Sequence, residues 1–142
     1  RLMLADLRAR WLVHNDRAAE ARQLLVETIL PEEFALRRWR EHLLSLSVLS
    51  AAEHALGDRL GAAQRLRREV IPGFARRGFV SNEAVASLSL ARLLLKHPTP
   101  AARREAELLL HRAWKIASLK HLPHTEQILQ LLDQHRLRRP RR

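Results

Sequence analysis

Apolar residues recur along this chain at the three- and four-residue spacings that place them on one side of a helix, and Gly, Pro and helix-capping residues interrupt the pattern at intervals. Residues 50–80 show the unit most plainly. Ala51, Ala52 and Ala55 close one helical pattern, Gly57 supplies the positive φ that ends it, and the Asp58 carboxylate is placed to accept orphan N–H groups of the next helix. Ala62 and Ala63 then fall where two backbones must approach, and Leu66, Val70 and Phe74 follow as a buried stripe. The pattern predicts a helical hairpin.

The same reading extends along the whole chain. A first helix over 2–13 carries Leu4, Leu7 and Trp11 on one stripe, with His14, Asn15 and Asp16 as turn and cap. A second helix runs from about Arg17 to Leu30. Pro31 fits the first turn of a third helix over 32–56, with Glu32 and Glu33 at its positive dipole end. The apolar residues of this third helix (Phe34, Leu36, Trp39, Leu43, Leu46, Val48) surround most of its circumference. A fourth helix begins at Asp58, meets a kink or break at Pro72-Gly73, and stops at Gly78. Ser81 caps a fifth helix, 82–96, and Thr99-Pro100 opens a sixth that ends near Lys120. Beyond the breaker Leu122-Pro123-His124, a short seventh helix over 125–135 closes the series. The fold class is all-α, as antiparallel pairs near 2–30, 32–78 and 81–121. Residues 1–137 form the helical domain and 138–142 a basic, disordered tail.

Related segments recur when aligned on an Ala of each second helix: 41 residues separate Ala21 from Ala62, and 44 separate Ala62 from Ala106. That interval exceeds the tetratricopeptide period of about 34 and falls in the range of about 40 to 47 for HEAT and armadillo units. A single irregular helical bundle is the alternative.

Composition supports the class and narrows the chemistry. Four Gly, no Tyr and an abundance of Leu, Ala and Arg favour helix over strand. No Cys is present, so neither disulfide nor thiolate chemistry is available, as suits a cytoplasmic protein. No apolar run is long enough for a membrane span. The start at Arg1 rather than Met suggests a fragment whose partner domains lie outside it. The net charge is +11, and residues 79–142 carry +7 of it, much of this in the tail.

No GxxxxGK, GxGxxG or HExxH pattern occurs, and the expectation is a non-catalytic protein without cofactor or metal. The better candidates are polar stripes on otherwise apolar helices. Arg38, Glu41, His42 and Ser45 share one helical face beside Trp39, and Asn82, Ser89, Arg92 and Lys96 share another. Facing one groove, they would bind a small-molecule effector or an acidic peptide or protein, since arginine forks hold carboxylates and phosphates. Arg138, Arg139, Arg141 and Arg142 offer weak, salt-sensitive phosphate contacts, but no aromatic residue is interleaved to stack bases.

Residues 43–80 resemble the helical-repeat region of the large ATP-dependent LuxR-type transcriptional activators, the group of the maltose-regulon activator. LLSLSVLSAAEHALGDRLGAAQRLRREV followed by ARRGFVSNEAV carries the likeness, and LRARWLVHNDRAAEARQLL is similar to the preceding hairpin of that family. The resemblance implies a tetratricopeptide-like right-handed superhelix that senses an effector or inhibitory protein, with DNA bound only through a separate domain. Pro72-Gly73 departs from the family pattern. Two other readings stand beside it: a free-standing helical-repeat adaptor for a partner peptide, and a weak nucleic-acid-binding module.

Overall fold

The computed structural model describes residues 2–141, with side chains from residue 5 onward, and among these there are seven helices and no strand. They are α1 (Leu2–His14), α2 (18–35), α3 (Trp39–Ala55), α4 (59–76), α5 (Val80–Lys96), α6 (Pro100–Leu119) and α7 (Thr125–Gln134). The chain divides into two compact units, residues 1–73 and 74–142, with the boundary inside α4.

Two prolines that were expected to bound or break helices do neither. Proline lacks an N–H, and its ring crowds the carbonyl four residues earlier, so an α-helix cannot simply run through it. Here each proline is preceded by a π-helical turn, Leu25–Ile29 before Pro31 and Leu66–Val70 before Pro72. The residue before each proline donates to the carbonyl five positions back, Leu30 to Leu25 and Ile71 to Leu66, and the widened turn accommodates the ring. Thus α2 continues to Ala35, and α3 begins at Trp39 rather than at Glu32.

The π turns also hold the buried stripes together. Four-residue steps from Ala21 through Leu25 and Ile29 to Glu33 would drift by about 120° around a pure α-helix. One residue taken up in the wider turn cancels about 100° of this, so all four stay on the inner face and all are buried. Ala62, Leu66, Val70 and Phe74 repeat the arrangement 41 residues later, each buried.

Turns between helices, except that from α5 to α6, share one device. A left-handed residue follows the helix, and the next N–H returns to the carbonyl five positions back. Gly57 and Gly78 fill the left-handed position as the sequence suggests, but Asp16, Arg37, His121 and Arg136 also adopt it, with φ of 53–59°. The closing bonds, such as Arg17 N–H to Leu12 O at 2.8 Å and Asp58 N–H to Glu53 O at 2.9 Å, are alike throughout. Asp16 is therefore the turn residue itself, and Arg17 at the following N-terminus makes no side-chain cap. Ser81 likewise lies inside α5, which starts at Val80 after an uncapped Phe79. The caps at Asp58 and Thr99 form as expected, accepting from Gly61 N–H at 2.9 Å and Ala102 N–H at 3.1 Å.

In unit 1, Leu12, Ala18, Ala21 and Ala52 join α1, α2 and α3. Ser50 Oγ donates to the Ala62 carbonyl at 2.9 Å, where the small side chains let α3 and α4 approach. Gly73 lies against Leu43, whose Cδ2 would be 2.5 Å from any added Cβ. Of the stripe expected on α1, Leu7 is 56% and Trp11 54% exposed and the Leu4 side chain lies outside the described residues, while Ala9 and Leu12 face the core. Unit 2 has a more regular interior, with Ala84, Leu88, Ala91 and Leu95 of α5 against Ala106, Leu110, Ala113 and Ala117 of α6, closed by Ile128 and Leu132 of α7.

Candidate functional site

The α3 face singled out from the sequence passes from solvent to core within two turns. Arg38, immediately before the helix, and Glu41 are exposed, Trp39 and His42 are half-buried, and Ser45 is wholly buried. Trp39 and His42 form an edge-to-face trio with Phe34 of α2, at centroid distances of 5.2 Å (Phe34–Trp39), 5.7 Å (Phe34–His42) and 6.2 Å (Trp39–His42). Burial holds the His42 imidazole below its ordinary range, against the opposing influence of the Leu30 carbonyl and Glu69.

The other predicted residues belong to unit 2. Asn82 and Ser89 are half-buried and Arg92 is exposed. Ser89 Oγ donates within its own helix to Val85 O at 3.1 Å, and Arg92 reaches Gln127 Oε1 of α7 at 3.4 Å. In the tail, the Arg138 N–H donates to Glu107 Oε2 at 3.1 Å, His111 Nε2 lies 2.6 Å from the Arg138 carbonyl, and Arg139 pairs with Asp133 at 2.7 Å. Two arginines offered to phosphates are thus engaged by acids, whose carboxyls they hold below the usual range. Arg141 is exposed, and Arg142 lies outside the described residues.

Sequence reasoning missed a polar cluster inside unit 1. Glu33 of α2 is only 2% exposed, Ser45 of α3 is 0% exposed, and Asp6 of α1 is half-buried. Glu33 Oε1, Ser45 Oγ and Asp6 Oδ1 are all buried without a hydrogen-bond partner, as is Nδ1 of His42. The 41-residue register makes Phe74 the counterpart of Glu33, so an acid stands in α2 where α4 buries a phenyl ring. Burial is the main cause that raises the Glu33 carboxyl above its usual range, with Asp6 and Glu41 adding to it. Ser45 is near enough to favour the ionised form, as Arg38 does from a distance, yet Ser45 Oγ and Glu33 Oε1 remain without a partner at bonding geometry. Asp6 uses its other oxygen to pair with the partly exposed Arg10 at 3.2 Å.

Two other glutamates are buried, and both have arginines. Glu53 receives Arg65 through two bonds, at 2.7 and 3.2 Å, and Glu83 receives Arg112 at 2.6 Å. Among the described residues no group of three or more His, Asp or Glu is arranged for a metal ion, and no helix is long and apolar enough to cross a membrane. Comparison with protein families, curated proteins and solved structures finds no match.

Proposed function

We propose that this chain is a non-catalytic effector-sensing or protein-interaction domain, of the kind that a bacterial LuxR-type transcriptional regulator places between its other modules. The observation that carries the binding part of this reading is the set of unpartnered polar atoms of Asp6, Glu33 and Ser45, drawn from three different helices. Buried polar groups ordinarily find partners within the protein, and a cluster that does not is an interior prepared for hydrogen bonds from elsewhere. The regulator part is supported by the sequence resemblance over residues 43–80 and by paired helices of the expected kind.

The test is a thermal-shift screen of neutral, anionic and cationic small molecules and short peptides against the chain. At least one is expected to raise the melting temperature of the wild type and to lose that effect in Ser45→Ala and Glu33→Gln. A screen in which no stabilising compound depends on either residue overturns the reading.

A further inference from the structure

We infer that Asp6, Glu33 and Ser45 form a binding site for a small organic cation bearing N–H donors, a primary ammonium group being the plainest case. This deepens the effector-binding reading and rests on it. The preference is the reverse of the anionic effector that the arginines of the predicted groove suggest. Arg38 and Arg92 are exposed side chains, whereas the unpartnered atoms of Asp6 and Glu33 are carboxylate oxygens and that of Ser45 is a hydroxyl that can accept as well as donate.

The first support is stoichiometric. Asp6 Oδ1 and Glu33 Oε1 are carboxylate acceptors and Ser45 Oγ is a hydroxyl that can accept, each buried, each unpartnered and each from a different helix, and an ammonium group carries three N–H donors and no acceptor. An anion would meet two carboxylates there and find a single O–H to bind, so it is excluded by charge as well as by hydrogen bonding.

A second support comes from the rest of the molecule. Wherever else a glutamate is buried, the chain supplies a cation of its own, Arg65 to Glu53 and Arg112 to Glu83. Glu33 is equally withdrawn from water, but its Oε1 has no such donor, and its counterpart in the repeat is the apolar Phe74. An acid placed where the second repeat has a ring, whose Oε1 lacks the bonded arginine its fellows receive, marks a place for a cation from outside the chain. Asp6 supplies the outer edge of the site: it is half-buried, with one oxygen on Arg10 near the surface and the other turned inward.

The experiment uses the whole chain with carbon-13 at the glutamate carboxyls, titrated at equal ionic strength with methylammonium, tetramethylammonium and sodium chlorides. Methylammonium is expected to move the Glu33 carboxyl signal and raise the melting temperature. Tetramethylammonium, with the same charge and no N–H, and sodium are expected to do neither. Glu33→Gln should weaken methylammonium at least about tenfold while leaving the remaining spectrum folded. Glu33→Met, which removes the buried carboxyl without demanding a partner, should stay folded and lose the response altogether. Equal responses to all three salts, a methylammonium response unchanged in Glu33→Gln, or none at all overturn the inference. If a neutral or anionic compound acts through Ser45 while methylammonium does not, the cation inference fails and the effector reading stands. If no compound acts, both fail.

Discussion

Each unit withdraws one glutamate almost wholly from water, Glu33 in unit 1 and Glu83 in unit 2, both 2% exposed, and their surroundings differ in kind. Glu83 meets Arg112 at 2.6 Å within the α5–α6 pair, and the charge is compensated where it stands. Glu33 has Ser45 beside it and Asp6, Glu41 and Arg38 within electrostatic reach, and its Oε1 has no bond. Burial alone therefore does not tell a structural acid from a binding one. The partner does, because an ionised carboxylate removed from water costs several kcal/mol unless the attraction of a nearby cation offsets it.

The largest effect expected on this comparison comes from the apolar frameworks around the two acids. Leu25→Ala in unit 1 and Leu110→Ala in unit 2 each empty a fully buried site, and each should lower stability by about 2–5 kcal/mol in denaturant unfolding. Hydrogen exchange should then accelerate most in the unit that carries the substitution. Equal acceleration in both would show that the contrast between the two acids sits on one shared framework.

A smaller loss follows from removing the arginine that Glu33 does not have. Arg112→Met leaves Glu83 buried and charged without its donor, at a cost of about 1–3 kcal/mol, toward the low end because the arginine is largely exposed. The double change with Glu83→Gln should recover part of it in a double-mutant cycle. No recovery would mean that Arg112 acts through its packing and not through its charge.

The smallest effect is the dependence on pH. The folded-state shift of Glu33 is upward, so its favourable contribution is fully present below the unfolded value near 4.5 and is lost as pH rises through the folded value. Glu20, Glu107 and Asp133 shift downward and act oppositely, losing their contribution as pH falls. The whole protein thus mixes both signs, but subtraction isolates one. The melting temperature of the wild type relative to Glu33→Gln should rise as pH falls from neutral towards 4.5. A flat difference would deny that Glu33 is desolvated in the folded state.

Much of this architecture was legible because its signals are local. The Asp58 and Thr99 caps, the glycines at 57 and 78 and the stripe Leu66–Val70–Phe74 each declare a helix end or a buried face by residue type and spacing. What escaped was held by geometry without a characteristic residue. Nothing about Arg37 announces a left-handed turn, and Pro31 looks like the start of a helix until the bond from Leu30 to Leu25 is seen. Read from sequence alone, Glu33 therefore falls in the first turn of a helix, and its place in the interior is hidden. Ser45 was found as part of a stripe, but its position in the core depends on α1 and α2, which the spacing along α3 cannot report. The one available hint was the register itself, since the alignment of Ala21 with Ala62 also matches Pro31 to Pro72 and Glu33 to Phe74.

In the language of crystals, each π turn is a dislocation: the helix on either side keeps its order, and only the count of residues between them is altered. Such a defect can in principle glide, and every residue that it passes is swung by about 100° around the axis. Proline stops the glide, because a ring without an N–H requires the widened turn to lie just before it. Pro31 and Pro72 therefore pin the same defect at the same place in two helices, and the side chain two positions beyond each pin is forced inward whatever its chemistry. In α4 that side chain is a phenylalanine; in α2 the same mechanical constraint drives a carboxylic acid into the interior.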